Sequence, residues 1–240
     1  MKEQKLHNYF QEVLHAPVGR KGFLKYTAFS GAAVMLGLQS CKKDHGSGGS
    51  TGTTIDVGSG DTGILNFAYA LEQLEAAFYI KVNAAFYTNA TAAEQAILSD
   101  IMNHEVAHRD FFKSALGTMA IGTLQFNFSS VDFTSRTSVL ATAKALEDTG
   151  VSAYNGAGQY ITNSDYLTVA GKIVSVEARH AAAIRDLINP LSADFAGDDV
   201  VSASTGLDFS RTPNSTTGGA SIVATANTFL TTKISATQLP

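Results

Sequence analysis

Cysteine is almost missing from this 240-residue chain: Cys41 is the only one. A single thiol permits no internal disulfide and excludes a zinc or iron–sulfur site built from cysteines. Charge is sparse as well. Only 16% of residues are charged, the net charge is −4, and no basic tract occurs beyond the N-terminal region. That pattern excludes the electrostatic footprint of a nucleic-acid binder. The apolar run from Tyr26 to Leu38 falls short of the ~20 residues that span a bilayer as a helix. What the chain does have is apolar surface. At 45% hydrophobic residues it can bury one good-sized core, with appendages.

The N-terminus carries a pattern of its own. Arg20-Lys21-Gly22-Phe23-Leu24-Lys25 is basic, Tyr26 to Leu38 is small and apolar, and a polar run follows Cys41. Basic, apolar, small, then cleavage is the order of a secretory signal. Leu38-Gln39-Ser40-Cys41 resembles a bacterial lipobox, in which the cysteine becomes a lipidated N-terminus, with Gln39 departing from the small or aliphatic residue usual there. Arg20-Lys21-Gly22-Phe23-Leu24-Lys25 resembles a twin-arginine export signal with Lys21 in place of the second arginine. The expectation is an export signal over 1–41, lipidation at Cys41, a bacterial-envelope location and a membrane anchor. Residues 42–60 are rich in Gly, Ser and Thr, the composition of a flexible tether.

Helical periodicity dominates residues 61–189. Ile64, Phe67, Leu71, Leu74 and Phe78 form one stripe, with Glu72, Glu75 and Tyr79 beside it. The first helix is expected over Thr62–Phe86 with Asp61 as its cap. Thr91-Ala92-Ala93-Glu94 reads as a capping box opening a second helix that Gly117 stops after Leu116. The short connection makes these two antiparallel neighbours. From Gly117 to Thr137 the period is lost, and an extended crossing segment is expected to return along the bundle. A third helix is expected over Ser138–Ile161, weakened by Gly150 and Gly156 unless these mark close packing. A fourth runs over Tyr166–Asn189, ended by Pro190. The fold class is therefore all-α: two antiparallel helix pairs joined by a long crossover. Residues 190–240 form an irregular tail, with a short helix expected over 220–233 on the bundle surface.

The second and fourth helices carry polar groups where a core wants aliphatic ones. Leu98, Ile101, Glu105, His108 and Phe112 step by three and four, as do Ala170, Ile173, Glu177, His180, Ile184 and Leu187. Residues three apart lie on one helix face, so each Glu-x-x-His aims both side chains inward. An unpaired charge in an apolar core costs several kcal/mol or more, and neither stripe holds a Lys or Arg. A metal is the simplest compensation. The halves also echo one another: Glu72 precedes Tyr79 by seven residues and Glu147 precedes Tyr154 by seven, each followed by a Glu-x-x-His. One Glu from each of two helices and Glu-x-x-His from each of two others is the ligand pattern of di-iron and di-manganese carboxylate bundles. The metal set is Glu72, Glu105, His108, Glu147, Glu177 and His180.

On these residues, with Leu65-Asn66-Phe67-Ala68-Tyr69-Ala70-Leu71-Glu72, Glu75-Ala76-Ala77-Phe78-Tyr79 and Ala145-Leu146-Glu147, the chain resembles the ferritin-like superfamily. It looks nearest the bacterial and plant ferritin-like family that includes desiccation-associated proteins. The resemblance implies two iron or manganese ions, Glu105 and Glu177 bridging them, and Glu72 and Glu147 terminal. Tyr79 and Tyr154 would hydrogen-bond ligands, and Glu75 is a second candidate carboxylate on the first helix. It also implies redox work on ferrous iron, oxygen or peroxide, of ferroxidase or peroxidase type. The rival expectation is a non-catalytic envelope or stress protein that uses the bundle for stability. His104-Glu105-Val106-Ala107-His108 also fits the zinc-protease motif H-E-x-x-H, but that reading leaves Glu177 and His180 without a role. A further alternative is a metal-free bundle in which the Glu and His residues pair with one another.

Overall fold

The computed structural model describes residues 54–216 and 220–240. The expected export signal, Cys41 and residues 42–53 of the expected tether lie outside the described residues. The element order is β1 (Ile55–Asp56), α1 (Gly60–Ala84), α2 (Ala92–Leu116), α3 (Arg136–Gly158), α4 (Ser164–Ile188), α5 (Ile222–Thr228) and β2 (Ile234–Ser235), with 3-10 turns at Gly117–Met119 and Ala193–Ala196. Among the described residues, no helix is long and apolar enough to cross a membrane.

The four long helices form the expected all-α bundle, and their ends show which side chains set them. Helix α2 opens on the capping box. The Glu94 amide donates to Thr91 Oγ1 at 3.2 Å, and the Thr91 amide donates to Glu94 Oε2 at 2.8 Å. The other Glu94 oxygen accepts from Arg136 Nε at 2.7 Å, and Arg136 also donates to the Leu187 carbonyl. One cap thus ties α2 to the start of α3 and the end of α4. Helix α3 starts two residues before its expected position, because Ser135 supplies the cap by accepting from the Ser138 amide. Helix α4 is capped by Asn163, which accepts from the amides of Asp165 and Tyr166.

Helix α1 departs from expectation. It begins at Gly60 with Ser59 at the cap position and no side-chain cap bond. Asp61 instead accepts from the Thr162 amide and hydroxyl and the Asn163 amide, at 2.9–3.0 Å. A residue expected to cap its own helix therefore pins the α3–α4 turn to it.

Helix α1 packs chiefly on α2, α3 on α4, and the pairs meet through α1–α3 and α2–α4 contacts. The crossover runs beside α1, as expected. An extended chain needs partners for its amides, and two buried α1 side chains supply them. Asn66 accepts from the Ile121 amide and Gln73 from the Leu124 amide, both at 2.9 Å. Further along, Phe128 and Phe133 pack on Phe78, with ring centroids 6.0 and 5.8 Å away.

The tail corrects the expectation of a surface appendage. Ile222, Ala226, Leu230, Ile234, Ala236 and Leu239 are buried and continuous with the core that holds Ile64, Phe67, Leu71 and Phe78. Strands β1 and β2 pair in parallel, Ile55 with Ile234, so part of the tether expected over 42–60 is structured too. The tail helix is shorter than expected, and Ser221 caps it.

Candidate metal centre

Helices α1, α2, α3 and α4 bring Glu72, Glu105, Glu147 and Glu177 to full burial in one place, with His180 4% exposed and the His108 side chain 12% exposed. Two overlapping groups emerge. Glu72, Glu105, His108 and Glu177 form one; Glu105, Glu147, Glu177 and His180 form the other. Within each, one donor atom from every residue lies within 4.8 Å of the rest. All six residues singled out as metal ligands are therefore gathered, with Glu105 and Glu177 common to both groups.

The contacts inside each group are close. His108 Nδ1 is 2.9 Å from Glu177 Oε1, 3.3 Å from Glu72 Oε2 and 3.5 Å from Glu105 Oε2. His180 Nδ1 is 2.7 Å from Glu105 Oε1, 3.4 Å from Glu147 Oε2 and 3.8 Å from Glu177 Oε2. Yet none of these atoms has a hydrogen-bond partner of acceptable geometry. Glu72 Oε2, both oxygens of Glu105 and of Glu177, Glu147 Oε2 and the two Nδ1 atoms are all orphans. Buried polar groups in native proteins are nearly always satisfied. Orphans that converge without bonding to one another are arranged around common points, as ligand atoms are. The metal-free pairing of Glu with His brings them to ion-pair distance but leaves none of them a well-directed hydrogen bond.

The remaining oxygen of each outer carboxylate is satisfied crosswise. The Tyr79 hydroxyl on α1 donates to Glu147 Oε1 on α3 at 2.5 Å. The Tyr154 hydroxyl on α3 donates to Glu72 Oε1 on α1. Burial, with the adjacent carboxylates, pushes both phenols well above their usual range, so each is a neutral donor. Each tyrosine thus turns one carboxylate oxygen outward and leaves Oε2 facing the cluster.

Without cations, protons carry the compensation. Burial lifts the Glu72 carboxyl to about 8 and the Glu147 carboxyl well above its ordinary value. Burial disfavours charge on His180, but Glu105, Glu147 and Glu177 outweigh it and raise the imidazole to about 12. His108 rises likewise: burial opposes it, and Glu72, Glu105 and Glu177 prevail. Glu105 moves the other way. Burial works against its charge, yet the contacts with His108 and His180 hold it at about 2. Carboxylate oxygen with imidazole nitrogen is a donor set suited to iron or manganese, and the residues fit such an ion.

Two residues need separate placement. Glu75 belongs to neither group; it is buried, and its Oε2 has no partner. His104 lies outside both groups too, so His104 and His108 do not converge as H-E-x-x-H requires. Instead His104 Nδ1 is 2.8 Å from His180 Nε2. No local pattern assigns His104 a role outside the protease motif, because it lies off the core stripe and its partner is 76 residues away. The larger described cavity, about 420 Å³ between α3, α4 and the tail, includes none of these side chains.

Comparison with known families is consistent with this geometry. A family model described as a ferritin-like domain matches residues 60–190, more than half of the chain. No curated protein matches it.

Proposed function

This chain belongs to the ferritin-like domain family, and from that premise we propose that it holds two iron or manganese ions and works as an exported, lipid-anchored redox protein. The observation that carries the reading is the convergence of orphaned oxygen and nitrogen atoms from four helices, in two groups that share Glu105 and Glu177. Glu72 and His108 would help hold one ion and Glu147 and His180 the other, with Glu105 and Glu177 available to both. Four carboxylates balance two divalent cations, so the loaded core is neutral. Ions of this kind supply one-electron chemistry toward oxygen or peroxide.

The chain's own part is positional. Tyr79 and Tyr154 orient the terminal carboxylates, the bundle excludes water from the bridging ones, and His108 and His180 present Nδ1. Export and anchoring rest on the basic–apolar–Cys41 pattern, and the residues after it give a domain room to stand off a lipid surface.

Elemental analysis of natively expressed protein tests the centre. About two ions per chain are expected, falling sharply in Glu105→Gln and Glu177→Gln. If metal is bound, mixing the ferrous protein with oxygen or peroxide in stopped flow should produce an absorbance transient. A metal-loaded protein inert to both would support the rival structural role in the envelope. For the anchor, mass spectrometry should find a lipidated Cys41 at the mature N-terminus, and an unmodified Met1 would refute it.

A further inference from the structure

Helix α4 has a second working face. Ala178 follows Glu177 and Ala181 follows His180, and with Ala182 and Arg185 they make a row stepping by three and four, so they share one side of the helix. Three of these four side chains end at Cβ and leave room above them. The tail passes over this face and over α3, and the cavity of about 420 Å³ lies between. That volume is typical of a small-molecule site.

One end of the cavity is balanced in charge. Arg185, 3% exposed, donates to the two oxygens of Asp148 at 2.5 and 2.7 Å and to Asp199 at 3.2 Å. Lys144 pairs with Asp199 at 2.5 Å. Two cations meet two carboxylates there and fasten the tail to α3. Ser152 lies one turn along α3 from Asp148, and there the balance is lost. The Arg211 amide donates to the Ser152 carbonyl at 3.0 Å, which sets the two residues side by side. The Arg211 guanidinium donates to the Ala220 carbonyl, and no carboxylate among the described residues pairs with it. Ser152 Oγ and Arg211 Nε are buried without a hydrogen-bond partner, as is Arg185 Nε. Apart from the metal centre and Glu75, the Tyr87 hydroxyl is the one other such atom among the described residues. Three of these four orphans thus belong to residues lining one cavity. Two are N–H donors and the third a hydroxyl, so the missing group is an acceptor. Beside an unpaired guanidinium the favoured acceptor carries negative charge.

The rest of the wall is apolar. Phe195 and Phe209 line the cavity and are 56% and 47% exposed. No ring contact joins them to one another among the described residues, so each offers a free face to a flat guest. Phe209 and Arg211 are two residues apart, and one short stretch of tail supplies both a ring and a cation. Asp208 is on the wall as well and would repel a second negative charge.

We propose that this cavity binds a small aromatic monocarboxylate. Its carboxylate meets Arg211 and Ser152, and its ring lies against Phe209 and Phe195 over the alanines of α4. The site is separate from the ions, because its lining includes none of the six metal-holding side chains.

2-Naphthoate added to the full chain, followed by its fluorescence anisotropy, tests this. One molecule per chain should bind. 2-Naphthalenemethanol, the same body without the charge, should bind about tenfold more weakly. Arg211→Gln should weaken naphthoate by a similar factor and leave the alcohol unchanged, so that the preference for the acid disappears. Phe209→Ala, at a half-exposed position whose loss the fold tolerates, should weaken acid and alcohol alike by about fivefold. Octanoate should bind less tightly than naphthoate. The proposal is overturned if naphthoate does not bind, if octanoate binds as tightly, or if affinity for the acid survives both Arg211→Gln and Phe209→Ala. Binding lost in Glu105→Gln but kept in those two variants would also overturn it, by placing the carboxylate on the metal centre.

Discussion

Tyr79 and Tyr154 show how single side chains prepare the centre. Each phenol is buried, neutral and bonded to the carboxylate of the opposite helix pair. Tyr79→Phe leaves Glu147 Oε1 without its donor in a place water does not reach. A buried acceptor left unsatisfied costs about 1–3 kcal/mol, so chemical denaturation of the metal-free variant should show a loss of that size. Protonation gives a second test at this scale. Glu72, raised to about 8, and His180, raised to about 12, bind protons in the folded chain that the unfolded chain releases at lower pH. Groups raised on folding stabilise below their unfolded values and lose that contribution as pH climbs. The metal-free protein should therefore melt at progressively lower temperature from about pH 5 through pH 8 and on toward about pH 12, Glu72 setting the lower part of the decline and His180 the upper. Metal uptake must displace those same protons. Near neutral pH it should release on the order of four protons per chain, from His108, His180, Glu72 and Glu147, and apparent affinity should rise with pH. Calorimetry in buffers of differing ionisation enthalpy counts them.

At the scale of elements, the four long helices were legible because their signals are local. The Thr91–Glu94 box, the stripes at three and four, and the breaks at Gly117 and Pro190 each lie within a few residues of what they control. The ligand set was legible for the same reason, since a Glu-x-x-His needs only one turn. Asp61 was misread because its partners, Thr162 and Asn163, are about a hundred residues away. The glycines of α3 were also undecidable alone. Gly150 makes room for a carboxylate, while Gly156 lets the tail backbone at Arg211 lie against the helix, where a Cβ would overlap the Arg211 carbonyl. Gly171 in α4 is exposed and faces nothing within 4 Å. Gly156 and Gly171 should respond differently to alanine. Gly156→Ala forces backbone apart and should cost about 1–3 kcal/mol. Gly171→Ala should stabilise by about 0.5–1 kcal/mol through helix propensity alone. Paired urea melts separate them, and a neutral Gly156→Ala would mean that the tail does not pack there. The α2 cap adds an acid limit. Burial raises Glu94, but Thr91 and Arg136 outweigh it and hold the carboxyl at about 2 against an ordinary 4.5. Its contribution is present above that ordinary value and lost as pH falls toward 2, a limb that Glu94→Gln should lack.

For the whole molecule, the question is whether the tail belongs to the domain or decorates it. Its composition argued for decoration, because Ser, Thr and Gly separate the apolar residues too widely for a helical or strand period to show. The structure places those residues individually: Ile222 and Ile234 are as buried as Leu98 in the bundle, and Leu230 bridges to Phe126 of the crossover. Such contacts span a hundred residues or more, and no local pattern encodes them. β1 and β2 then join the first and last described segments, so the chain closes on itself around α1. A tail that fills a shared core must melt with it. Ile222→Ala, cutting a fully enclosed side chain back to its first carbon, should cost about 2–5 kcal/mol. That is the same range expected for Leu98→Ala within the helices. Both variants should still unfold in one transition by circular dichroism and by tyrosine fluorescence. A tail that merely rests on the bundle would give a much smaller loss for Ile222→Ala, or an early separate transition, while Leu98→Ala kept its full effect.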